Sequence, residues 1–422
     1  MDNARNVPCP FCGLGCDDLA LRASDSGFAI EHGACVRSRA GFGQPPSSAK
    51  ARVNGAEASL DAAVSQAAGL LGEAREPLLT GLATDVAGSR AALRLAQRTQ
   101  ASMDHLHGIG GFQGVLAMQS SGGMSTTMSE LRNRAELVLL VGTNGVDVMP
   151  RLTERVLEGS QAAFLDGKPR EVVVIGPQAP DASDSEQLHW QHIDCPVYDV
   201  PYAIGALRCL LEERDLDDAA TSDLPMTALA ELASRMREVD YGAVVWGPAG
   251  LGAHGDLLVE ALQTLVQSLN AEKRWGGLAL AGNESATTFE EVCLWSTGYP
   301  GRIRFRGDDV IYEPRLIDAG RLLSSGTTDC MVWIGGMEGD HLPGKAEVPS
   351  IVLTPYPERL DWQPDVLIPI GVPGLDHAGT SVRSDHVVSL PLRSLRDSQQ
   401  PAAADVLDRI LAGLPARETS SC

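Results

Sequence analysis

The chain has no apolar run long enough to cross a bilayer; its longest, such as Leu137–Val141, are strand-sized. Its opening, MDNARNVPCP, lacks the apolar stretch of a signal peptide, which speaks against secretion. Basic residues are scarce, 34 Lys and Arg against 55 Asp and Glu, for a formal net charge of -21. Such a field repels nucleic acid and anionic lipid at long range, so neither nucleic acid nor membrane is expected as a partner. No G-x-G-x-x-G follows a strand-like run, so an ordinary dinucleotide fold is not indicated, and no G-x-S-x-G elbow supports a serine hydrolase. There is no convincing repeat or low-complexity tract. What remains is 422 residues with 44% hydrophobic and 21% charged side chains, too many for one core. Two or three packed domains in a soluble, cytoplasmic protein are expected.

Cysteine is where the sequence is richest in chemistry. Of nine cysteines, four crowd the first tenth: Cys9, Cys12 and Cys16 in Cys-Pro-Phe-Cys-Gly-Leu-Gly-Cys, then Cys35 in His-Gly-Ala-Cys. Short intervals with Gly13 and Gly15 let a loop aim three sulfurs at one point, and a distant fourth closes a tetrahedral set. This close triplet with a remote fourth suits an iron–sulfur cubane. Zinc also accepts four thiolates, although usually from two separated C-x2-C knuckles, and unligated thiols are the third reading. A reducing compartment disfavours disulfides. Cys209 and Cys330 lie in apolar stretches and read as buried small hydrophobes.

After the turn-rich residues 41–48, Ser59 is placed to cap a helix whose Leu60, Ala63, Val64, Ala67 and Leu71 share one face. Short β-rich runs then recur at 137–141, 172–175, 243–246, 331–334 and 351–353, with helical segments such as 256–270 between them. Several of these strands end in glycine turns: Gly142-Thr-Asn-Gly145, Gly176-Pro177, Gly247-Pro248 and Gly335-Gly336. Strand, glycine turn, helix, repeated, predicts parallel α/β layers, whose ligands bind beyond the carboxyl ends of the strands. A linker after Arg396 leads to a short last helix near 406–411. Glu290-Glu291 read as a helix surface. Asp376-His377 and Asp385-His386 read as structural pairs or vestigial pocket lining rather than general acid–base groups.

The motifs Cys-Pro-Phe-Cys-Gly-Leu-Gly-Cys-Asp-Asp18, Ser129-Glu-Leu-Arg-Asn-Arg-Ala-Glu136, Gly142-Thr-Asn144, Met149-Pro-Arg151, Trp295-Ser-Thr-Gly-Tyr-Pro300 and Gly379-Thr-Ser-Val-Arg-Ser-Asp385 stand in one order along the chain. Together they resemble the B subunit of the formylmethanofuran dehydrogenase family, over nearly the whole length. The resemblance implies a molybdopterin-oxidoreductase-like α/β fold, akin to domains 1–3 of formate dehydrogenase and DMSO reductase, with parallel Rossmann-like layers and a small Cys-rich N-terminal domain. The expected division is 1–50 for the Cys-rich domain, 76–200 for a Rossmann-like domain, and 51–75 with 201–417 for a second, pterin-binding-like domain. By the same resemblance Cys9, Cys12, Cys16 and Cys35 hold a [4Fe-4S] cluster. Gly142, Asn144, Arg151, Gly379 and Thr380 fall on blocks that contact a molybdenum or tungsten bis-pterin guanine dinucleotide.

Two departures stand out. His107-Gly108 match the His-Gly that follows the family's metal ligand, but the residue before them is Leu106 rather than cysteine, and leucine has no lone pair for a soft metal. After the strand at 172–175 the family commonly carries Asp-x-Arg, whereas this chain reads Ile175-Gly-Pro-Gln178, without the charges that would grip a dianionic cofactor. The combination looks like the family branch in the bacterial formyltransferase/hydrolase complex of one-carbon metabolism, which takes formaldehyde carbon to formate. There the expected partners are an amidohydrolase-type A subunit, a C subunit and a formyltransferase D subunit. The reading is a scaffold whose pterin metal and redox activity are lost, with Leu106 and His107 vestigial. The alternative is an active molybdenum or tungsten subunit interconverting CO2 and formate.

Overall fold

The computed structural model describes residues 3–24, 27–158, 162–180, 184–216, 223–248, 251–252, 254–281, 285–337 and 341–415. Two compact units share the chain. The first joins residues 1–108 to 282–422, and the second is the insertion 109–281.

The first unit is built on a nine-stranded sheet. Its middle five strands are parallel, in the order Ser102–His105, Pro77–Ala83, Cys330–Gly335, Ser350–Thr354, Val366–Pro369. All five are buried at every position, as parallel strands covered on both faces must be. Antiparallel pairs close both edges: Ile303–Arg306 with Asp309–Tyr312, and Arg52–Val53 with Ala56–Glu57. The helix Leu60–Glu73 starts where the sequence places it, Ser59 accepting the amide of Ala62, and it buries Ala63, Val64, Ala67 and Leu71. The last helix, Ala403–Gly413, buries Val406, Leu407 and Ile410 in the same core.

A small antiparallel sheet, Asn3–Val7, Leu19–Ser24 and Gly27–His32, belongs to this unit. Its topology explains the cysteine spacing. The first strand runs up to Val7, the second starts down from Leu19, and the third comes back up to His32. The loop carrying Cys9, Cys12 and Cys16 and the turn carrying Cys35 therefore leave the same end of the sheet. The expected separate domain of residues 1–50 is thus a lobe of a larger unit.

The second unit holds a five-stranded, all-parallel sheet in the order Leu188–Asp194, Arg170–Gly176, Leu137–Val141, Tyr241–Trp246, Arg274–Ala279. The helices Val200–Leu211, Met226–Glu238 and Gly255–Leu269 bury apolar stripes in its core. All five β-rich runs read from the sequence are parallel strands. The breaks between units fall at 108/109 and 281/282, not near 75 and 200 as expected. The strand Pro77–Ala83, expected to open a domain with Leu137–Val141, pairs instead with Cys330–Gly335. That long-range pairing leaves no mark in local periodicity.

Candidate functional site

Cys9, Cys12 and Cys16 are buried, and Cys35 is half-buried at the N-cap of the helix Val36–Phe42, where its sulfur accepts the Ser38 amide at 3.4 Å. The loop is closed by Cys9 N–H donating to Cys16 O at 2.8 Å. Phe11 anchors it, fully buried and edge-on to Phe42 with centroids 5.2 Å apart. Gly41 lies beneath that ring, where an added Cβ would stand 2.0 Å from Phe11 Cζ. Gly13 and Gly15 have φ of 70° and 73°, the left-handed backbone that the folded-back loop demands. Ser384 N–H donates to Gly13 O at 2.9 Å, seating the loop on the hairpin of Gly379–Val382 and Ser389–Leu392.

The four thiols feel one another. Burial, then Cys12, and further Cys16 and Cys35, hold Cys9 well above the usual thiol range, and burial pushes Cys12 up to about 12. Cys9 and Cys12, buried this deeply, ionise only if positive charge enters beside them. Among the described residues no three His, Cys, Asp or Glu side chains close on a single ion. The cation of Arg37, two residues beyond Cys35, bears on both Cys12 and His107.

Leu106 follows the strand Ser102–His105 and donates its amide to Gly81 O at 3.1 Å. Its side chain packs against the cluster of Met331, Trp333, Val352 and Leu367. The position that the family resemblance assigns to a metal thiolate is here part of an apolar contact. Beside it, burial and the neighbouring His105 and His341 push His107 down to about 4, so it is neutral at pH 7. Its ring meets His341 edge-on at 5.7 Å. His107 Nε2 and His105 Nδ1 are buried with no hydrogen-bond partner among the described residues. Two imidazoles remain, but the thiolate does not, and the residues at this position do not fit a protein-ligated molybdenum or tungsten.

The expected nucleotide contacts divide between the units. Gly142, Asn144 and Arg151 are in the second. Strand order reverses there between Leu137–Val141 and Tyr241–Trp246, and such a reversal opens a crevice at the carboxyl ends. Gly142 (φ 65°) and Asn144 stand on the loop at that crevice, Asn144 exchanging hydrogen bonds with Asp147 at 3.0 and 3.2 Å. Gly247, on the facing loop, comes so close that a Cβ would lie 3.1 Å from Thr143. Arg151 is buried and grips Glu154 with two nitrogens. Thr153–Leu157 forms a π-turn just after it, a distortion common near binding sites. Gly379 and Thr380 are in the first unit, where order reverses between Pro77–Ala83 and Cys330–Gly335. A Cβ on Gly379 would stand 2.6 Å from Asp85 Oδ2, at the N-cap of Val86–Thr99.

Three features escaped the sequence. Arg170 is fully buried and donates to the carbonyls of Arg132, Ala135, Val156 and Leu157, fixing the π-turn; burial lowers it to about 10. Glu290 and Glu291, expected on a helix surface, are mostly buried and meet His105 and His386. Asp104, also buried, accepts from Arg302 at 3.2 Å. Asp376 pairs with Arg396, and Asp385 with Arg383 through both oxygens.

With this mixed α/β fold, the chain is similar to B subunits of formylmethanofuran dehydrogenase and of a formyltransferase/hydrolase complex. No protein-family model matches the chain. It is 26% identical to the B subunit of tungsten-containing formylmethanofuran dehydrogenase 2 of Methanocaldococcus jannaschii, over 95% of each chain. It is 28% identical to the B subunit of the formyltransferase/hydrolase complex Fhc of Methylorubrum extorquens, over 85% of this chain and 96% of that one. A chain in the crystal structure of that complex, FhcABCD with methylofuran, superimposes at a TM-score of 0.72 with 27% identity, covering 85% of this chain and 97% of its own. The resemblance carried by the motifs is thus borne out, both to the B subunit of formylmethanofuran dehydrogenase and, in particular, to that of Fhc. No helix among the described residues is long and apolar enough to cross a membrane.

Proposed function

We propose that this chain is the B subunit of a formyltransferase/hydrolase complex that releases one-carbon units as formate, and that it serves there as a scaffold without redox chemistry of its own. Leu106 carries the reading. Its side chain packs against the cluster of Met331, Trp333, Val352 and Leu367 and has no electron pair to offer a metal. Hydrolysis of a formyl group to formate moves no electrons, so such a complex runs without a tungsten or molybdenum centre. The hydrolytic and formyl-transfer steps belong to the A and D partners, with C completing the assembly. The similarity to a chain of FhcABCD over 97% of that chain supports these partners.

Cys9, Cys12, Cys16 and Cys35 would hold the cluster, and a bound cubane supplies one-electron capacity together with a covalent tie across the loop. In a scaffold only the tie is used. The buried thiol shell is also the observation that favours the second reading, an active pterin subunit interconverting CO2 and formate. Elemental analysis of the anaerobically purified complex, with dye-linked formate oxidation, separates the two. The scaffold reading expects no tungsten or molybdenum and no formate oxidation. Either metal near one per chain, with formate-dependent dye reduction, would overturn it. Iron, read separately, tells whether the cysteines hold a cluster.

A further inference from the structure

At the end of the second unit's sheet opposite the Gly142 loop lies a cavity of about 340 Å³. Tyr241 and Arg274, the first residues of two parallel strands, line it together with Arg134, Phe164 and Lys168. The volume is at the small end of the range in which proteins hold small molecules. Neither crevice described above includes it.

Three cations and three acids line it. Among the described residues, Arg134, Lys168 and Arg274 make no ion pair. Arg134 lies over the exposed ring of Phe164, 4.5 Å from its centroid, and both arginines bear on the Tyr241 hydroxyl, which is itself 2.9 Å from Thr126 Oγ1. The lining acids are mostly engaged. Glu136 Oε1 accepts the amides of Asp240 at 2.9 Å and Tyr241 at 3.3 Å, and Asp240 is held by Lys273 at 2.6 Å. Asp166 is the remaining lining acid. Two of the three lining acids are thus engaged by partners other than these cations, which leaves the N–H donors of Arg134, Lys168 and Arg274 available to a ligand entering the cavity.

We propose that this cavity binds a small, multiply charged oxyanion, a polycarboxylate or a phosphate ester. Arg134 and Arg274 offer planar forks for paired oxygens, Lys168 offers a point charge, and the rings of Phe164 and Tyr241 form the apolar wall. This site is independent of the scaffold reading.

Calorimetric titration of the full-length protein with pyrophosphate and, separately, with tricarballylate, both at matched ionic strength, tests it and separates the two sources of charge. Saturable binding of either probe is expected. Arg274→Gln and Arg134→Gln should each weaken it about tenfold, the size of one lost charge-assisted contact. Arg94→Gln, which removes a cation paired with Asp408 in the other unit, should leave it unchanged. Circular dichroism confirms that each variant is folded. Absence of saturable heat with both probes overturns the proposal. Equal weakening in the Arg94 variant also overturns it, since that would be general attraction to surface charge.

Discussion

The imidazole of His105 and the carboxylate of Glu290 meet at 3.2 Å inside the first unit, Nε2 to Oε1, with 3% and 13% of their side chains exposed. One comes from a parallel strand and the other from the helix Ala286–Thr297, 185 positions later. Glu290→Ala leaves the buried ring without its acceptor. It should destabilise the protein by about 2 kcal/mol, read as a lower urea midpoint at unchanged slope, while Glu290→Gln loses less. Equal losses in the two variants would mean that packing, not the hydrogen bond, matters there.

His107 makes stability depend on acid. Its folded value is about 4, against about 6.5 for an unfolded chain. Between those values the unfolded chain takes up a proton that the folded one refuses. The stability contributed by the neutral ring is complete above pH 6.5 and is lost as pH falls toward 4. Discounted for partial exposure, the loss is about 2 kcal/mol. His107→Ala should flatten the stability profile in that window and, in the assembled complex, leave formate production nearly unchanged. A large fall in turnover with intact assembly would give His107 a role that the scaffold reading denies it.

Gly41 offers a test of the cysteine loop that touches no cysteine. A Cβ there drives into Phe11, the ring that anchors the loop between Cys9 and Cys12. If the cysteines hold the proposed cluster, Gly41→Ala should release its iron and bleach its broad visible absorption, as Cys12→Ser should by removing a ligand outright. Retention of iron in the glycine variant, with iron lost in Cys12→Ser, would show that the loop tolerates displacement of Phe11.

Arg170→Met removes the donor from four backbone carbonyls at once. Methionine fills much of the volume but satisfies none of them, so a loss above about 3 kcal/mol is expected by chemical denaturation. Because those carbonyls include Val156 and Leu157 of the π-turn, hydrogen exchange should quicken there first.

The sequence spoke clearly wherever the signal was local. The Ser59 cap, the strand Leu137–Val141 and the last helix are legible from residues a few positions apart, because hydrogen-bond period and side-chain burial are set at that range. The glycine turns were legible too, and they stand at the carboxyl ends of parallel strands. Glu290 and Glu291 were not. Two acids in a row look solvated until a histidine nearly two hundred positions upstream and another about a hundred downstream are brought to them. The division into units was hidden for the same reason, since Pro77–Ala83 finds its partner strand across the inserted unit. The close spacing of Cys9, Cys12 and Cys16 is plain in the sequence, but only the up-down-up path of three short strands explains how the turn carrying Cys35 returns to the same end of the sheet.

The seat of the cysteine loop on residues 379–392 sets an order of events during synthesis. Residues 109–281 form their unit from one unbroken stretch and can close while the ribosome is still working. The loop emerges almost first, yet its resting surface is made almost last. For most of translation the nascent chain therefore carries four unshielded thiols. If the four cysteines hold the proposed cluster, its seat exists only in the finished polypeptide, and a chain halted after residue 281 should resist protease across 109–281 while retaining no iron.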